Sequence, residues 1–423
     1  MVGAGVVGSS VALSAARRGL RVLVVDKAAG PGHGSTSASS AIVRFNYSTY
    51  EGVALAWASH AAWEDWEGHL GHRDPDGSAS FTRTGLAMLD VDGLPWRRAG
   101  DLFDRVGVPW EHWDADELAA RVPGIDPGRF FPPAPVDTEE FLADARGRLG
   151  AVWTPDAGYV DDPRLAAANL LSAGRARGVT ARFRVAVASL TRETGTWRTG
   201  LDDGTVVESA VVVNAAGPWS SRLNEMAGAG GDFAVTVRPL RQEVHQVPLP
   251  AALAGRAPVL ADLDLGTYAR PVGEHSLLVG GTEPECDPLE WVDDPDAVAP
   301  TVTRERYEAH TLRVARRLTD LRVPGRPTGV VGVYDVASDW TPVYDRTDLP
   351  GYYVAMGTSG NQFKNAPLVG EVVMAVVDAV EAGHDHDADP TRLTLPYSGQ
   401  ELDLGAFSRL RAPNSASSGT VMG

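Results

Sequence analysis

The chain has little cysteine, little lysine and no long apolar run. Cys286 is the only cysteine among 423 residues, which excludes an internal disulfide and a cysteine-based metal cluster. No run of about eighteen apolar residues and no signal-peptide pattern occur, so we expect a cytoplasmic protein with no membrane span. The net charge of −17 disfavours nucleic acid as a partner, because phosphate binding needs a positive surface.

Lysine is rare although arginine is not. Of the 38 basic residues only Lys27 and Lys364 are lysines, so a specific role for Lys364 is more plausible than in an average protein. The length predicts two or three domains, and an apolar content of 43 % with 22 % charged residues is typical of a soluble globular protein. We expect a monomer or a small homo-oligomer.

The N-terminal stretch holds a dinucleotide-binding pattern. Gly3, Gly5 and Gly8 form G-x-G-x-x-G before a predicted helix, and Asp26 ends the apolar run that follows it. Such glycines allow a tight turn, close approach of a pyrophosphate and close helix packing, while the acid binds a ribose hydroxyl. Only Met1 and Val2 precede Gly3, so we expect a short first strand. The motif alone is compatible with NAD or FAD.

Later stretches predict further parts of a ligand-binding fold. The loop GPGHGSTSASS is rich in small residues and is expected to cover a cofactor, and a valine-rich strand runs into NAAGPWS. Alternating apolar and polar residues between 234 and 326 predict an antiparallel sheet with a helix over 303–317, which we interpret as the wall of a substrate chamber. The serine- and glycine-rich segment after Ser398 is expected to be mobile.

Together these strings resemble the FAD-dependent D-amino-acid oxidase superfamily, in particular its sarcosine oxidase and dimethylglycine dehydrogenase branch. The resemblance lies in GAGVVGSS with Asp26, GSTSASSAIVRFNYS, VVVNAAGPWS and YYVAMGTSGNQFKNAPLVGE. It implies an α/β fold with a Rossmann-like FAD-binding domain of the D-amino-acid oxidase (GR2) type and a mostly antiparallel β-sheet substrate domain. The FAD-binding domain is expected to be discontinuous over 1–82, 151–232 and 327–397, the substrate domain to cover 83–150 and 233–326, and a C-terminal tail to cover 398–423.

The resemblance also implies which residues bind FAD. Gly3, Gly5 and Gly8 would hold the pyrophosphate and Asp26 the adenosine ribose. The remaining predicted cofactor-binding residues are Lys27, Ser35, Thr36, Ala216, Gly217, Trp219, Gly357, Gly360, Asn361, Gln362, Phe363 and Lys364. The cluster GHDHDAD at 383–389 is interpreted as a solvated acidic turn, so no metal site is predicted.

Four residues are candidates for the substrate chamber. Arg44 and Lys364 match two cations that hold the substrate carboxylate in sarcosine oxidases, and Tyr268 matches a chamber tyrosine. An arginine fork suits a carboxylate because it offers two parallel hydrogen bonds. His245 could act there as an acid or base, with Arg241 and Glu243 on the same face, but alternation alone cannot choose the face, and a surface histidine is equally compatible.

Three departures from the family pattern limit these inferences. Some relatives attach flavin covalently through a cysteine near the strand matching GVYDVASD or a histidine where this chain has Ala38, so we predict non-covalent FAD with His33 as the only exception. The lysine that oxidases of this branch carry beside the flavin is missing from SLLVGG. Asn361 and Gln362 replace a His-Gly pair, so substrate size is not inherited.

The sequence therefore predicts an FAD-dependent oxidoreductase of the CH–NH type. Its substrate would be a small carboxylated amine, namely a secondary or N-methylated amino acid whose C–N bond is oxidised by hydride transfer to flavin. The electron acceptor would be oxygen or an electron-transfer partner. Two alternatives stay open: a 2-hydroxy-acid or amine dehydrogenase with a non-oxygen acceptor, and a flavin-holding subunit of a larger complex.

Overall fold

Two large β-sheets, one mainly parallel and one mainly antiparallel, organise the chain. A computed structural model describes residues 1–92 and 96–423, so three residues of the predicted 83–150 segment lie outside the described part. The α-helices are α1 (Val6–Arg17), α2 (Tyr50–Glu64), α3 (Trp66–Leu70), α4 (Trp96–Val106), α5 (Ala115–Arg121), α6 (Glu139–Leu142), α7 (Pro163–Arg175), α8 (Ser220–Ala227), α9 (Arg304–Arg317) and α10 (Ala366–Glu381). The β-strands are β1 (Leu23–Asp26), β2 (Ile42–Val43), β3 (Phe81–Arg83), β4 (Leu86–Leu89), β5 (Glu111–Trp113), β6 (Ala151–Thr154), β7 (Gly158–Val160), β8 (Thr180–Phe183), β9 (Val187–Glu193), β10 (Thr196–Leu201), β11 (Val206–Ser209), β12 (Val212–Asn214), β13 (Val237–Pro248), β14 (Val259–Asp262), β15 (Thr267–Val272), β16 (Ser276–Gly281), β17 (Gly329–Ala337), β18 (Val343–Arg346), β19 (Tyr352–Met356), β20 (Arg392–Thr394) and β21 (Glu401–Asp403).

The mainly parallel sheet is built from distant parts of the chain. Strands β8 and β1 pair in parallel, as do β12 and β19, and β18 adds an antiparallel edge. Val2 joins the two halves by parallel bridges to Val25 and Asn214. The prediction of a short first strand is thus confirmed, because Val2 is the residue that pairs with both neighbouring strands. Helix α1 packs against α7 and α10, and Gly370 allows α10 to approach closely, since a Cβ there would lie 2.4 Å from the carbonyl oxygen of Ser10.

The antiparallel sheet forms the second layer, as predicted. Its strand order is β17-β13-β16-β15-β14-β4-β6-β5, and β14 and β4 pair in parallel. Helix α9 covers one face of β13, β15 and β16, and Thr303 caps its N-terminus by accepting a hydrogen bond from the main-chain N–H of Arg306. This sheet also contains β6 and β17, which the predicted boundaries assigned to the FAD-binding domain. Strand β17 joins it because the whole strand pairs antiparallel with Val237 to His245 of β13.

The final segment is packed against the rest of the protein, so the expectation of a mobile tail does not match the structure. The buried side chain of Arg409 pairs with Asp345 and Asp387, and Arg411 pairs with Asp339 at 2.9 Å. Further along, Val421 and Met422 are buried. Ion pairs to acids that are distant in the sequence hold this segment in place, although its serine- and glycine-rich composition is typical of a flexible segment. None of the helices in 1–92 and 96–423 has the length and apolar character needed to cross a membrane.

Candidate active site

A cavity of about 790 Å³ lies where the parallel strands end. Parallel α/β sheets bind ligands at this edge, and the volume is in the range of small-molecule and cofactor sites. The predicted cofactor-binding residues that line it are Gly3, Gly5, Asp26, Lys27, Ser35, Thr36, Ala216, Gly217, Trp219, Gly360, Gln362 and Phe363.

The first and third glycines of the motif allow close packing. Gly3 has a φ of +102°, and a Cβ there would lie 2.3 Å from the carbonyl oxygen of Ala215. A Cβ at Gly8 would lie 2.1 Å from the carbonyl oxygen of Gly3, so Gly8 lets α1 begin against the sheet. Gly5 precedes α1 and lines the cavity. The helix N-terminus therefore faces the cavity, where its free N–H groups and dipole favour a phosphate.

Asp26 and Lys27 line the large cavity beside the glycine turn. Asp26 Oδ2 accepts a hydrogen bond from the main-chain N–H of Ala4 at 2.6 Å, and Oδ1 accepts one from that of Ala28 at 2.8 Å. These bonds orient the carboxylate beside the turn after Gly3. The ammonium of Lys27 lies 3.9 Å from the ring centre of Trp219 and pairs with Asp296. This contact holds the indole over the cavity.

Strand β17 contributes two cavity residues that the sequence analysis did not identify, Tyr334 and Asp335. Asp335 accepts a hydrogen bond from the hydroxyl of Thr358 on one carboxyl oxygen, while the other is buried without a partner in the described chain. Burial raises the pKa of Asp335. Such an unsatisfied buried atom fits a bound polar group, because leaving it unpaired is costly. A Cβ at Gly360 would lie 2.3 Å from the Tyr334 ring, so glycine shapes this wall.

A second, smaller cavity of about 60 Å³ adjoins the large one. The two share Ser39, Tyr334, Gly360 and Phe363 as lining residues. The smaller cavity also brings together the predicted chamber residues Arg44, Tyr268 and Lys364. It therefore has the arrangement expected of a substrate chamber beside a cofactor.

Arg44 is buried and donates hydrogen bonds to main-chain carbonyl oxygens. Its Nη2 donates to the carbonyl oxygen of Val421 at 2.6 Å, and its Nη1 donates to that of Met422 at 3.1 Å and also to that of Asn46. Burial lowers the pKa of Arg44. A guanidinium that holds two neighbouring carbonyl oxygens has the geometry to hold the two oxygens of a carboxylate.

Lys364 supplies a second buried cation. Its Nζ donates to the hydroxyl of Tyr47 at 3.0 Å and to the carbonyl oxygen of Asn361 at 2.6 Å. Burial, together with the charge of Arg44, lowers the pKa of Lys364 well below its usual value. An anion bound between these two cations would be strongly favoured, because it would neutralise positive charge that is buried away from water.

Tyr268 completes the chamber wall. Its hydroxyl lies 2.8 Å from Oγ of Ser40, and burial raises the pKa of Tyr268 to about 12. Burial also holds the pKa of Tyr334 well above its usual value. Both phenols therefore stay protonated at neutral pH and can act as hydrogen-bond donors.

The structure does not bring every predicted residue to these cavities. His245 lies on the opposite face of the antiparallel sheet, because it stands in register with Val279 while Val244 and Tyr268 stand in register with Gly280. Its ring packs 5.3 Å from that of Tyr307 and 5.2 Å from that of His310 on α9. The prediction of a chamber acid or base is therefore wrong for His245. Burial lowers its pKa to about 4.

The remaining predicted cofactor residues have other surroundings. Gly357 packs near Ala337 and Val237. Asn361 and Lys364 line the smaller cavity. Gln362, which lines the large cavity, also accepts hydrogen bonds from Tyr344 and Asn365. His33 lines the large cavity. Gly332 and Ala38, the two positions that match attachment points in relatives, lie against each other, since a Cβ at Gly332 would lie 2.9 Å from that of Ala38.

Comparison with known proteins decides the family. A family model described as FAD dependent oxidoreductase matches residues 1–376. The chain belongs to this family. The match confirms the superfamily predicted from the sequence, and FAD is therefore the cofactor of this FAD-dependent oxidoreductase. The size of the large cavity, the helix N-terminus beside it and the unsatisfied carboxyl oxygen of Asp335 fit that cofactor.

Individual relatives are distant. This FAD-dependent oxidoreductase is 31 % identical over 217 residues to FAD-dependent oxidoreductase domain-containing protein 1 of Mus musculus, a match that covers 46 % of the chain and 41 % of that protein. It is 26 % identical over 433 residues to the tRNA 5-methylaminomethyl-2-thiouridine biosynthesis bifunctional protein MnmC of Azoarcus sp. strain BH72, covering 93 % of the chain and 60 % of that protein. The chain thus spans less than half of the mouse relative.

Solved structures share the fold. An L-proline dehydrogenase from P. horikoshii superposes with a TM-score of 0.75 at 21 % identity, covering 97 % of this chain and 96 % of that one. A glycine oxidase from Geobacillus kaustophilus superposes with a TM-score of 0.70 at 22 % identity, covering 92 % and 96 %. At these identities the likeness supports the fold alone.

Proposed function

We propose that this FAD-dependent oxidoreductase oxidises the C–N bond of a small amino acid, with a secondary or N-methylated amino acid as the preferred class. The observation that carries the proposal is the pair of buried cations in the smaller cavity. Arg44 and Lys364 make their hydrogen bonds in the described chain to uncharged oxygens. Both are therefore available to a substrate carboxylate.

Different residues of the chain would bind the substrate, donate hydrogen bonds to it and exclude water. FAD, when bound, supplies the two-electron oxidation, by accepting a hydride from the carbon beside the nitrogen. Arg44 and Lys364 would hold the carboxylate and thus orient the substrate. Tyr268 and Tyr334 would donate hydrogen bonds from the chamber wall, while Phe363, which stacks 5.5 Å from Trp63, would close the chamber against water.

A small substrate agrees better with the chain than a large anionic one. The name of the Azoarcus relative refers to tRNA, but the net charge of −17 would repel a polyanion. L-proline dehydrogenase and glycine oxidase, which share the fold, carry names that refer to amino acids. We therefore propose a free amino acid rather than an amine carried on RNA.

Anaerobic flavin bleaching tests the proposal. The FAD-loaded protein is mixed without oxygen with N-methylated, cyclic and primary amino acids, and with 2-hydroxy acids as the competing class. We expect loss of the yellow colour with members of the amino-acid panel. Bleaching by hydroxy acids alone would support the 2-hydroxy-acid alternative, and bleaching by neither class would support a flavin-holding subunit. Admitting air then shows whether oxygen is the acceptor.

A further inference from the structure

A carboxyl group without a role in the proposed reaction lies next to the chamber. Glu283 comes two residues after β16, and its main chain has a φ of +51°, in the left-handed region that residues with side chains seldom adopt. Its Oε1 accepts a hydrogen bond from Nε2 of Gln242 at 3.0 Å. Backbone conformations of this kind cost free energy and concentrate at functional sites.

The main chain of Val421 joins this carboxyl group to Arg44. The N–H of Val421 donates to Oε2 of Glu283 at 2.9 Å, and its carbonyl oxygen accepts from Nη2 of Arg44 at 2.6 Å. Only Cα and the carbonyl carbon separate the nitrogen from that oxygen. The space between Glu283 and Arg44 therefore matches one N–Cα–C=O unit, which is the skeleton of an α-amino acid.

We propose that Glu283 binds the amino nitrogen of the substrate while Arg44 binds its carboxylate, so that the site selects α-amino acids whose nitrogen carries a hydrogen. This inference rests on the proposed function, which supplies the amine and the carboxylate. A carboxylate and an ammonium group form a charge-assisted hydrogen bond that an ether oxygen cannot form. Val421 has to leave before a substrate makes these contacts.

The charges around Glu283 agree with this role. Burial raises the pKa of Glu283 to about 8, against the effect of the hydrogen bond from Val421 and the charge of Arg306. Asp287 adds a like charge that raises the pKa further. A cationic nitrogen in contact with the carboxyl group would favour its ionised form. Arg306 acts on Glu283 by its charge without forming an ion pair with it among the described residues, so the nitrogen of an amino acid would be the first cation in contact with this carboxyl group.

The test compares amino acids with analogues in which oxygen replaces nitrogen. With the FAD-loaded full chain, sarcosine, L-proline and glycine are assayed by anaerobic bleaching. Methoxyacetate and tetrahydrofuran-2-carboxylate, the ether analogues of sarcosine and L-proline, are assayed as inhibitors of the same reaction. In the wild type, the half-saturating amino-acid concentration is expected to be at least about tenfold below the inhibition constant of its analogue, and Glu283→Gln is expected to reduce that ratio to below about threefold.

Matched variants separate the possible outcomes. Glu285→Gln removes an exposed carboxylate two residues away and should leave the ratio unchanged, and Glu283→Asp should keep most of it. If Glu283→Gln does not retain FAD, Gln242→Leu removes the hydrogen bond that orients the carboxyl group and should lower the ratio at least about threefold. Bleaching by amino acids with an unchanged ratio, or an equal loss for both ligand classes, would overturn the role of Glu283 and leave the proposed function intact. Failure of every amino acid to bleach would reject both.

Discussion

Lys364 and Tyr47 form a contact that joins the second cation to the segment between β2 and α2. The ammonium of Lys364 lies 3.0 Å from the hydroxyl oxygen of Tyr47 and 4.8 Å from the centre of its ring. Burial raises the pKa of Tyr47 to about 12, so the phenol stays neutral and does not compensate the charge of the lysine. Burial and the charge of Arg44 disfavour the charged form of Lys364, so a bound carboxylate would favour that form by supplying the missing negative charge.

Removing either buried cation should weaken the binding of a carboxylated substrate. Arg44→Met and Lys364→Met keep much of the side-chain volume but delete the charge, and a hydrogen bond to a charged group contributes about 1.5–3 kcal/mol. We expect KM in the bleaching assay to rise at least about tenfold for each variant. Arg73→Met, which changes a guanidinium that is 86 % exposed, is the control. Unchanged KM in both buried variants would contradict the assigned chamber.

Shortening the final segment should make the chamber easier to enter. A variant that ends at Ser417 lacks Val421 and Met422, whose carbonyl oxygens occupy Arg44. We expect KM to fall by about tenfold, because apparent affinity scales with the fraction of molecules whose site is open. A full-length variant with Val421→Gly and Met422→Gly keeps the main-chain contacts and should change less. Identical stopped-flow bleaching by the short and full-length proteins would refute the prediction.

Substitution in the glycine motif should reduce the amount of bound flavin. A Cβ at Gly8 would lie 2.1 Å from the carbonyl oxygen of Gly3, so Gly8→Ala has to displace α1 from the sheet. We expect a clear drop in the ratio of flavin to protein after gel filtration. Gly231→Ala, at a position with nothing near its Cβ, should retain the wild-type ratio. Full flavin occupancy in Gly8→Ala would show that the close packing is dispensable.

The histidines beneath the antiparallel sheet should make the protein sensitive to acid. Burial lowers the pKa of His245 to about 4 and that of His310 to about 3, from an unfolded value of 6.5. As the pH falls below 6.5 the unfolded chain binds protons first, so the stabilisation present above pH 6.5 is lost progressively towards pH 4. For His245 the loss is about 3 kcal/mol.

Thermal unfolding at pH 7 and pH 5 measures this effect. His245→Phe keeps an aromatic ring against Tyr307 and should show a smaller fall in Tm between the two pH values than the wild type. His275→Phe, at an exposed position, should show the wild-type fall. Equal falls in all three proteins would mean that His245 does not contribute to the pH dependence.

Acid precipitation should release the flavin. Ala38 and Gly332 lie against each other and carry no nucleophilic side chain, so neither can form the bond that some relatives make. We expect the yellow colour in the supernatant after the protein is denatured in acid. Colour that stays with the pellet would point to His33, which lines the cavity, and the variant His33→Ala would then be expected to release it.

The sequence was sufficient for the features that depend on local patterns. The glycine spacing predicted a tight turn at Gly3, which has a φ of +102°, and close helix packing at Gly8. The alternation after residue 234 predicted the antiparallel sheet. Arg44, Tyr268 and Lys364 were predicted from the family resemblance, and the structure brings all three to one cavity.

Features that depend on tertiary contacts were missed. Alternation could not tell which face of β13 is covered by α9, so His245 was assigned to the wrong side. The final segment was expected to be mobile because it is rich in serine and glycine. Its composition does not show that Arg409 and Arg411 pair with Asp345 and Asp339, more than sixty residues away in sequence. Glu283 comes two residues after the predicted chamber strand SLLVGG, and an acid so close to that strand was the signal that could have identified it.

The wall shared by the two cavities should make ligand binding in the smaller cavity visible in the absorption spectrum of the flavin. We expect the flavin ring to lie against Tyr334 and Phe363, which line both spaces. A molecule that enters the smaller space should then change the polarity and packing beside the ring even when no electrons move. Its absorption bands should then shift without losing intensity. Inert carboxylates could thus be ranked by colour alone, before any substrate is known.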